Sequence, residues 1–459
     1  MLYWPKPHTP DPSPLSIAIL FGTYFASTES ALRSLGGLGS LTLVVNSPQL
    51  RYLRGRFQAQ NLLSQHPDAY DSGMAAQPRA PVKERDLQGF KYFQILQPFL
   101  DRLHSDATQR DRAGNRQLHF DQYGSLILLY FFNPILTSLR GIQQASALGK
   151  VQKLLGCSRA SFGSLSEASR VFDPQLLRDI LVELADQAVP LMHGKEAEAL
   201  RGLTAVDGSV LPALSRMAWA LWTDDRHRAA KLHLHFDVLK GVPCDATVTA
   251  AASSEPDQLR ATLQADRLYV IDRGYAGYQL FRDILDAGSS FIGRVKDNTA
   301  FTVKEERPLT AEAAAAGVVR DVVLAKLGTS HHKDYLQRPV RLIVVRRTKP
   351  DGSPEELWLL TDRLDLPAEL VALAYRYRWT VELFFRWFKC ILGCRHLLSS
   401  SHNGVEIQVY LALIASLLIT LWTGKKPTKR TWEMVQFYFA GLASEAELIA
   451  HIERLQDAQ

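Results

Sequence analysis

Leu203-Thr204-Ala205-Val206-Asp207-Gly208-Ser209 is the point at which this sequence changes character. A short apolar run ends there in an acid, a glycine and a serine, the pattern of a buried strand giving way to a turn. Downstream, residues 231–239 (KLHLHFDVL) alternate, with Leu232, Leu234, Phe236 and Val238 on one side, and 246–250 is a third strand candidate. A helix around 257–265 follows, then Leu268–Ile271 as a strand ending in Asp272, a helix over 278–287 and an extended stretch over 290–295. Three strands, helix, strand, helix, strand: the order predicts an α/β core.

Upstream of this core, residues 86–200 read as helices. Phe90, Phe93, Leu96, Phe99, Leu100 and Leu103 recur at three and four, and Leu176, Leu177, Ile180, Leu181, Leu184 and Val189 repeat the pattern. Residues 126–132 are apolar all round, which predicts burial. The first 85 residues, studded with Pro5, Pro10, Pro12 and Pro14, hold no sustained period and read as a weakly ordered extension. Met74 is a second candidate start; a genuine N-terminal arm is the other reading. Downstream, 297–362 reads as a β-rich insertion, in which 340–347 and 356–361 flank Lys349-Pro350-Asp351-Gly352-Ser353 and predict a hairpin. The pattern predicts a long helix over 367–394 and helices again over 405–455, around a basic turn at 424–430. The expected division is therefore 1–85 extension, 86–200 helical domain, 201–296 with 363–400 core, 297–362 insertion and 401–459 helical region.

With 459 residues, 46% hydrophobic and 22% charged, the composition is globular and excludes wholesale disorder. A net charge of +6 points mildly towards a polyanion. Four cysteines, at 157, 244, 390 and 394, exclude a disulfide scaffold and suit a reducing cytoplasm. Cys390 and Cys394 lack a second Cys/His pair at finger spacing, so small buried side chains are the better reading than zinc. The most apolar run, 409–422, falls short of the ~20 residues a bilayer needs and reads as a buried helix, not a membrane span.

Asp207 and Asp272 each end a predicted strand, where a rigid backbone holds a carboxylate at an open edge. Either acid alone is as well explained by turn formation or helix capping. A third charged element lies in residues 375–389 (YRYRWTVELFFRWFK). At about 100° per residue, Tyr375, Arg378, Glu382 and Lys389 fall on one helical face roughly 60° wide, with Arg386 at its border. A solvated Arg378–Glu382 pair four residues apart fits the spacing equally well.

Together these residues resemble a known family. Tyr375, Arg378, Glu382 and Lys389 match at every spacing the Tyr-(2)-Arg-(3)-Glu-(6)-Lys signature of bacterial insertion-sequence-four transposases. Asp272-Arg273-Gly274-Tyr275 and Val206-Asp207-Gly208-Ser209 are similar to that family's two aspartate motifs, and 422–433 to its tail. The resemblance implies an RNase H-like core with the catalytic, metal-binding triad Asp207, Asp272 and Glu382. It further implies two Mg²⁺ ions (or Mn²⁺), cut-and-paste movement in the bacterial cytoplasm, terminal inverted repeats and target DNA as partners, and a homodimer at work. Hard cations favour such oxygen ligands and keep positions open for phosphate oxygens. Arg378 and Lys389 would hold the DNA backbone, with Tyr375 supporting a phosphate or the helix packing.

Arg294 and Lys296, at the end of a predicted strand, are further DNA-binding candidates, although exposed basic side chains need no such reason. His233 and His235 read as a solvated strand face rather than a metal site, His331-His332-Lys333 as a loop, and Trp358 as packing rather than base stacking. The 425–430 cluster fits a phosphate patch and a solvated turn equally well. Two competing functions are a nuclease that cuts without strand transfer and a non-catalytic DNA-binding regulator derived from a transposase. Paired acids also occur in glycosidases, but cations ringing Glu382 suit phosphate better than sugar.

Overall fold

The computed structural model describes residues 91–106, 117–212, 217–224, 227–328, 336, 338–349, 351–393 and 397–457. All of these lie in the compact unit spanning residues 72–459. The expectations for the N-terminal extension, for Met74, for His331-His332-Lys333 and for Cys394 lie outside the described residues.

Among the described residues, the helices α1 (Lys91–Asp106), α2 (Phe120–Phe132), α3 (Leu139–Ser146), α4 (Gly149–Leu155), α5 (Phe162–Val171), α6 (Pro174–Gln187) and α7 (Lys195–Ala199) come first. α6 shows why they form where they do. Asp173 caps it by accepting from the Gln175 N–H, Pro174 occupies the first turn, and Leu177, Ile180, Leu181 and Leu184 make its buried stripe.

There follow β1 (Leu203–Pro212), β2 (Leu221–Asp224), β3 (His227–Asp237), β4 (Val242–Ala250), α8 (Glu255–Ala261), β5 (Leu268–Ile271), α9 (Tyr278–Asp286) and β6 (Ser290–Val295). The expected order holds, with the short strand β2 added ahead of β3. Next come β7 (Phe301–Glu306), α10 (Ala311–Ala315), β8 (Val318–Leu327), β9 (Val340–Thr348) and β10 (Pro354–Thr361). α11 (Ala368–Tyr377), α12 (Trp379–Gly393), α13 (His402–Thr423), α14 (Lys429–Phe439) and α15 (Glu445–Asp457) complete the chain.

Among the described residues the strands form one sheet of ten, in the order β2-β3-β1-β5-β6-β10-β9-β8-β7, with β4 also paired to β3. β1, β5 and β6 run parallel, and the remaining pairings are antiparallel. The predicted hairpin forms as β9–β10. The insertion is not a separate lobe, however: β10 pairs with β6, Trp358 opposite Val295, so the core sheet runs on through the inserted strands.

Two hydrophobic cores lie on opposite faces. One joins the N-terminal helices, α11–α13 and side chains such as Ala205, Leu234, Phe236, Val270 and Ile292. The other packs α8 and α9 onto Val206, Tyr269, Ile271 and Phe291. α13 fills the centre of the first. At 22 residues it exceeds the apolar run read from sequence and is long enough to span a bilayer, yet it is buried within the protein from Val405 to Thr420 on nearly every side. Ser401 caps its start, and Gly424, at φ 66°, takes the left-handed turn that ends it.

Candidate active site

The parallel register decides which acids meet. Leu203 lies opposite Leu268 and Ala205 opposite Val270, so two residues further on Asp207 comes level with Asp272. The β5–β6 register, Leu268 opposite Ser290, brings Arg294 into the same row. Side chains alternate along a strand, and Ala205, Val270 and Ile292 face the first core. Asp207, Asp272 and Arg294 therefore share the face covered by α11 and α12.

Those helices bring the rest. Arg378 donates from Nη2 to Glu382 Oε1 at 2.5 Å, and its Nη1 stands 3.6 Å from Asp207 Oδ2. One guanidinium thus spans two acids from elements 171 to 175 residues apart in the sequence. Burial pushes the Asp207 carboxyl up to about 7, against Arg378 and the Gly208 N–H, with Asp272 and Glu382 adding repulsion. Burial works against the charge on Arg378, but Glu382, Tyr375 and Asp207 prevail and raise its pKa. Asp272 also caps the turn that follows it, accepting from the Gly274 N–H at 2.6 Å.

The long helix read over 367–394 is two helices. At the junction Arg378 N–H bonds Tyr375 O, Val381 N–H bonds Arg378 O, and the Thr380 hydroxyl donates to Tyr377 O. These i→i−3 bonds tighten the turn and put Tyr375 and Arg378 ahead of α12 and Glu382 in its first turn. The expected single helix is therefore interrupted at Arg378, whose own backbone stays helical, and Arg378 and Glu382 still meet. Tyr375 is half-buried, its pKa raised by burial against the pull of Arg378 and Arg294. Lys389 is exposed; the pKa of its ammonium is lowered by partial burial and held up by Asp207.

Of the other cationic candidates, Lys296 is exposed just past β6. Arg294 is not free: Glu355 holds it at 2.8 Å and also binds Arg347 at 2.6 Å. His233 and His235 are not solvated, each being 4% exposed. β4 and α8 cover their side of β3, where His233 meets the Thr249 hydroxyl at 2.8 Å and His235 the Thr262 hydroxyl at 3.1 Å. Trp358 packs edge-on to Phe301 at 5.8 Å, as expected. In the basic turn, Lys429 and Arg430 pair with Glu433 in the first turns of α14.

Sequence reading gave no role to three further neighbours. Glu255, opening α8, lies so close over Gly208 that a Cβ there would come within 2.6 Å of its Oε1. The same oxygen pairs with Lys231 at 3.2 Å. Tyr275, three residues beyond Asp272, is 1% exposed. The glycine after Asp207 was the available signal for a close approach, but not for what approaches.

Asp207, Asp272 and Glu382 supply hard oxygen donors of the kind Mg²⁺ and Mn²⁺ take. Burial raises Asp207, with repulsion from Asp272 and Glu382 added, and a cation bound there would favour its charged form. Among the described residues no three Asp, Glu, His or Cys side chains converge on one point as they stand, and Arg378 occupies the gap between Asp207 and Glu382.

The chain is similar to proteins named as transposases. One, y4zB of Sinorhizobium fredii, is 30% identical over 223 residues, 48% of this chain and 60% of that protein. The chain thus spans less than two thirds of that relative. A second, named for insertion sequence element IS5377 of Geobacillus stearothermophilus, is 23% identical over 66% of this chain and 78% of its own length. A third, for element IS4SA of Synechocystis, is 20% identical over 56% of this chain and 70% of its own. A solved piggyBac transposase synaptic complex with hairpin DNA aligns over 83% of this chain and 85% of its own at 9% identity and a TM-score of 0.39, too loose to bear on the fold. Residues 198–418, which hold β1, β5, α12 and all three acids, match the model of the transposase DDE domain family.

Proposed function

We propose that this protein is a cut-and-paste DNA transposase of the insertion-sequence-four type, acting in the bacterial cytoplasm on the inverted repeats that end its own element. The observation that carries this is the convergence of Asp207, Asp272 and the Arg378–Glu382 pair on one face of the sheet, within the stretch that matches the transposase DDE domain. The strand order β4-β3-β1-β5-β6 supports an RNase H-like core.

Asp207, Asp272 and Glu382 would hold two Mg²⁺ ions. When bound, such ions lower the pKa of a coordinated water and stabilise the charge on a leaving phosphodiester oxygen. Arg378 would turn from the acids to a phosphate of the DNA end, as a guanidinium binds phosphate in the same forked geometry. Lys389 would add a second, exposed phosphate contact. Helices α1–α7 would bind the terminal repeat, and Lys296 would meet the backbone beside the cleaved bond. Two copies would work together, one at each end of the element.

The test is cleavage of end-bearing DNA in Mg²⁺. Asp207→Asn, Asp272→Asn and Glu382→Gln should each lower the rate at least about a thousandfold, a loss of the size expected when charge stabilisation is removed, while end binding persists. Near-normal cleavage by any one of them removes that residue from the site.

A further inference from the structure

Residues 133–172 carry five cations, Arg140, Lys150, Lys153, Arg159 and Arg170, against one acid, Glu167, a local surplus of four where the whole chain's is six. All five are exposed, and among the described residues none of them forms an ion pair. Exposed arginines elsewhere are held: Arg260 by Asp283, Arg346 by Glu356 and Arg347 by Glu355. Unbalanced positive charge gathered on one surface is the electrostatic footprint of a polyanion.

The backbone beneath that charge is a helix, a turn and a second helix. α4 ends at Gly156, whose φ of 59° turns the chain, and α5 begins six residues later under the Ser161 cap, with α3 packed against both helices. Ser146, fully buried at the end of α3, ties the unit together. Its hydroxyl accepts from the Ala160 N–H at 3.0 Å, and its carbonyl accepts from Gln152 Nε2 at 3.0 Å. Leu165, Ala168 and Ser169 form the buried side of α5, and Ser169 O and Phe172 O accept from the Asn403 amide of α13. The opposite side, with Phe162, Gly163, Glu167 and Arg170, is exposed along the whole helix. Phe162 is 43% exposed, and the Arg140 guanidinium lies 5.6 Å over its ring. Nothing crowds the start of this face: a Cβ on Gly163 would meet only the Ser161 hydroxyl, at 3.7 Å.

We infer that α5 is the helix that reads the terminal repeat, lying in the major groove of the duplex while the cations around it hold the flanking phosphates. A major groove admits one α-helix, and a helix held this way presents its N-terminal residues to the base edges. Ser161 and Gly163 are small enough for the helix start to approach the bases closely, and Phe162 offers an apolar surface to a thymine methyl. Lys150 and Lys153, one turn apart on α4, and Arg159 in the turn fix register on the backbone without reading sequence. The inference rests on the end-binding reading above and gives the sequence-reading share of it to one helix.

The test titrates full chains with a duplex bearing the inverted repeat beside the gene and with an unrelated duplex of equal length, over a range of salt. Gly163→Glu sets a carboxylate on the exposed face with room to spare, so it should melt as wild type does. It should bind the end duplex at least about tenfold more weakly and lose most of its preference over unrelated DNA. Lys150→Ala/Lys153→Ala should weaken both duplexes alike, with the slope of log K against log salt shallower by about two units. The lysine variant, altered only at exposed positions, decides independently of what the glutamate does to α5. Wild-type preference in Gly163→Glu, or a wild-type salt slope in the lysine variant, overturns the inference and leaves end binding standing. Equal affinity of the wild-type chain for the two duplexes would instead sink the end-binding reading, and the role of α5 with it.

Discussion

Two arginines in this molecule meet carboxylates in different ways: Arg341 grips both oxygens of one acid, and Arg378 is shared between two. Arg341 on β9 binds both oxygens of Asp321 on β8, at 2.7 and 2.5 Å, and also donates to Leu366 O; the two side chains are 3% and 5% exposed. Arg378 makes one short bond to Glu382 and stands 3.6 Å from Asp207, with side chains 14%, 29% and 19% exposed. The first cluster satisfies its charges and locks the loop before α11 to the inserted strands. The second leaves Asp207 with a pKa raised to about 7 and a guanidinium shared between partners. A structural ion pair is saturated; a working one keeps something to exchange.

The largest expected effect comes from breaking the saturated cluster. Arg341→Met should cost about 3–5 kcal/mol in denaturant unfolding, because Asp321 is left charged and buried. The double variant Arg341→Met/Asp321→Leu should recover most of that loss. A single variant as stable as wild type would show that the pair is not what holds the strand junction.

pH sharpens the comparison next. Burial, aided by Lys231, drives His233 down to about 4, and burial drives His235 to about 4 against the pull of Asp245. In the unfolded chain both titrate near 6.5, so the unfolded state takes up protons first as pH falls. Stability is present above pH 6.5 and is lost towards pH 4, by about 2 kcal/mol per histidine at pH 5. Asp207 runs the other way: its raised pKa lets the folded state bind a proton between about 7 and 4, which favours folding on acidification. In EDTA, Asp207→Asn should therefore steepen the acid loss and His233→Gln/His235→Gln flatten it. Identical melting-versus-pH curves for all three proteins would contradict both assignments.

A smaller change in stability is expected at the exchangeable cluster. Arg378→Ala should cost less than Arg341→Met does, since its two acids are 19% and 29% exposed where Asp321 is 5%. It should nevertheless tighten Mn²⁺ binding in the absence of DNA, because a competing cation has left, while weakening end binding. Weaker Mn²⁺ binding would mean that Arg378 orders the acids instead of standing in their gap. The smallest effect belongs to Lys389→Ala. Its melting temperature should not move, and the slope of log K against log salt should become shallower by roughly one unit. An unchanged slope removes Lys389 from the DNA contacts.

Much of this arrangement was legible in the sequence, for identifiable reasons. Asp207 follows Leu-Thr-Ala-Val and Asp272 follows Leu-Tyr-Val-Ile, and the parallel pairing of Leu203 with Leu268 brings the two acids level. Arg378 and Glu382 are close in the chain, so they meet even though the expected helix is interrupted at Arg378. What could not be read depends on partners remote in sequence. Arg294 is captured by Glu355, sixty-one residues on. Alternation along β3 identified one apolar face, yet whether the histidine face is wet depends on β4 and α8, through Thr249 and Thr262. The composition of 297–362 announced strands, but nothing in it announced that β10 would bond to β6.

That last pairing has a consequence for how the chain is made. β6 is complete at Val295, but its partner Trp358 follows sixty-three residues later. At a synthesis rate of about 5–20 residues per second, the nascent sheet waits roughly 3–13 s with β6 as a bare edge. Its residues Phe291 and Ile292 are fully apolar, and an unpaired apolar edge invites pairing with another chain. The strand that closes the sheet on the ribosome therefore comes from the inserted segment, and the acid on α12 is added only after that edge is sealed.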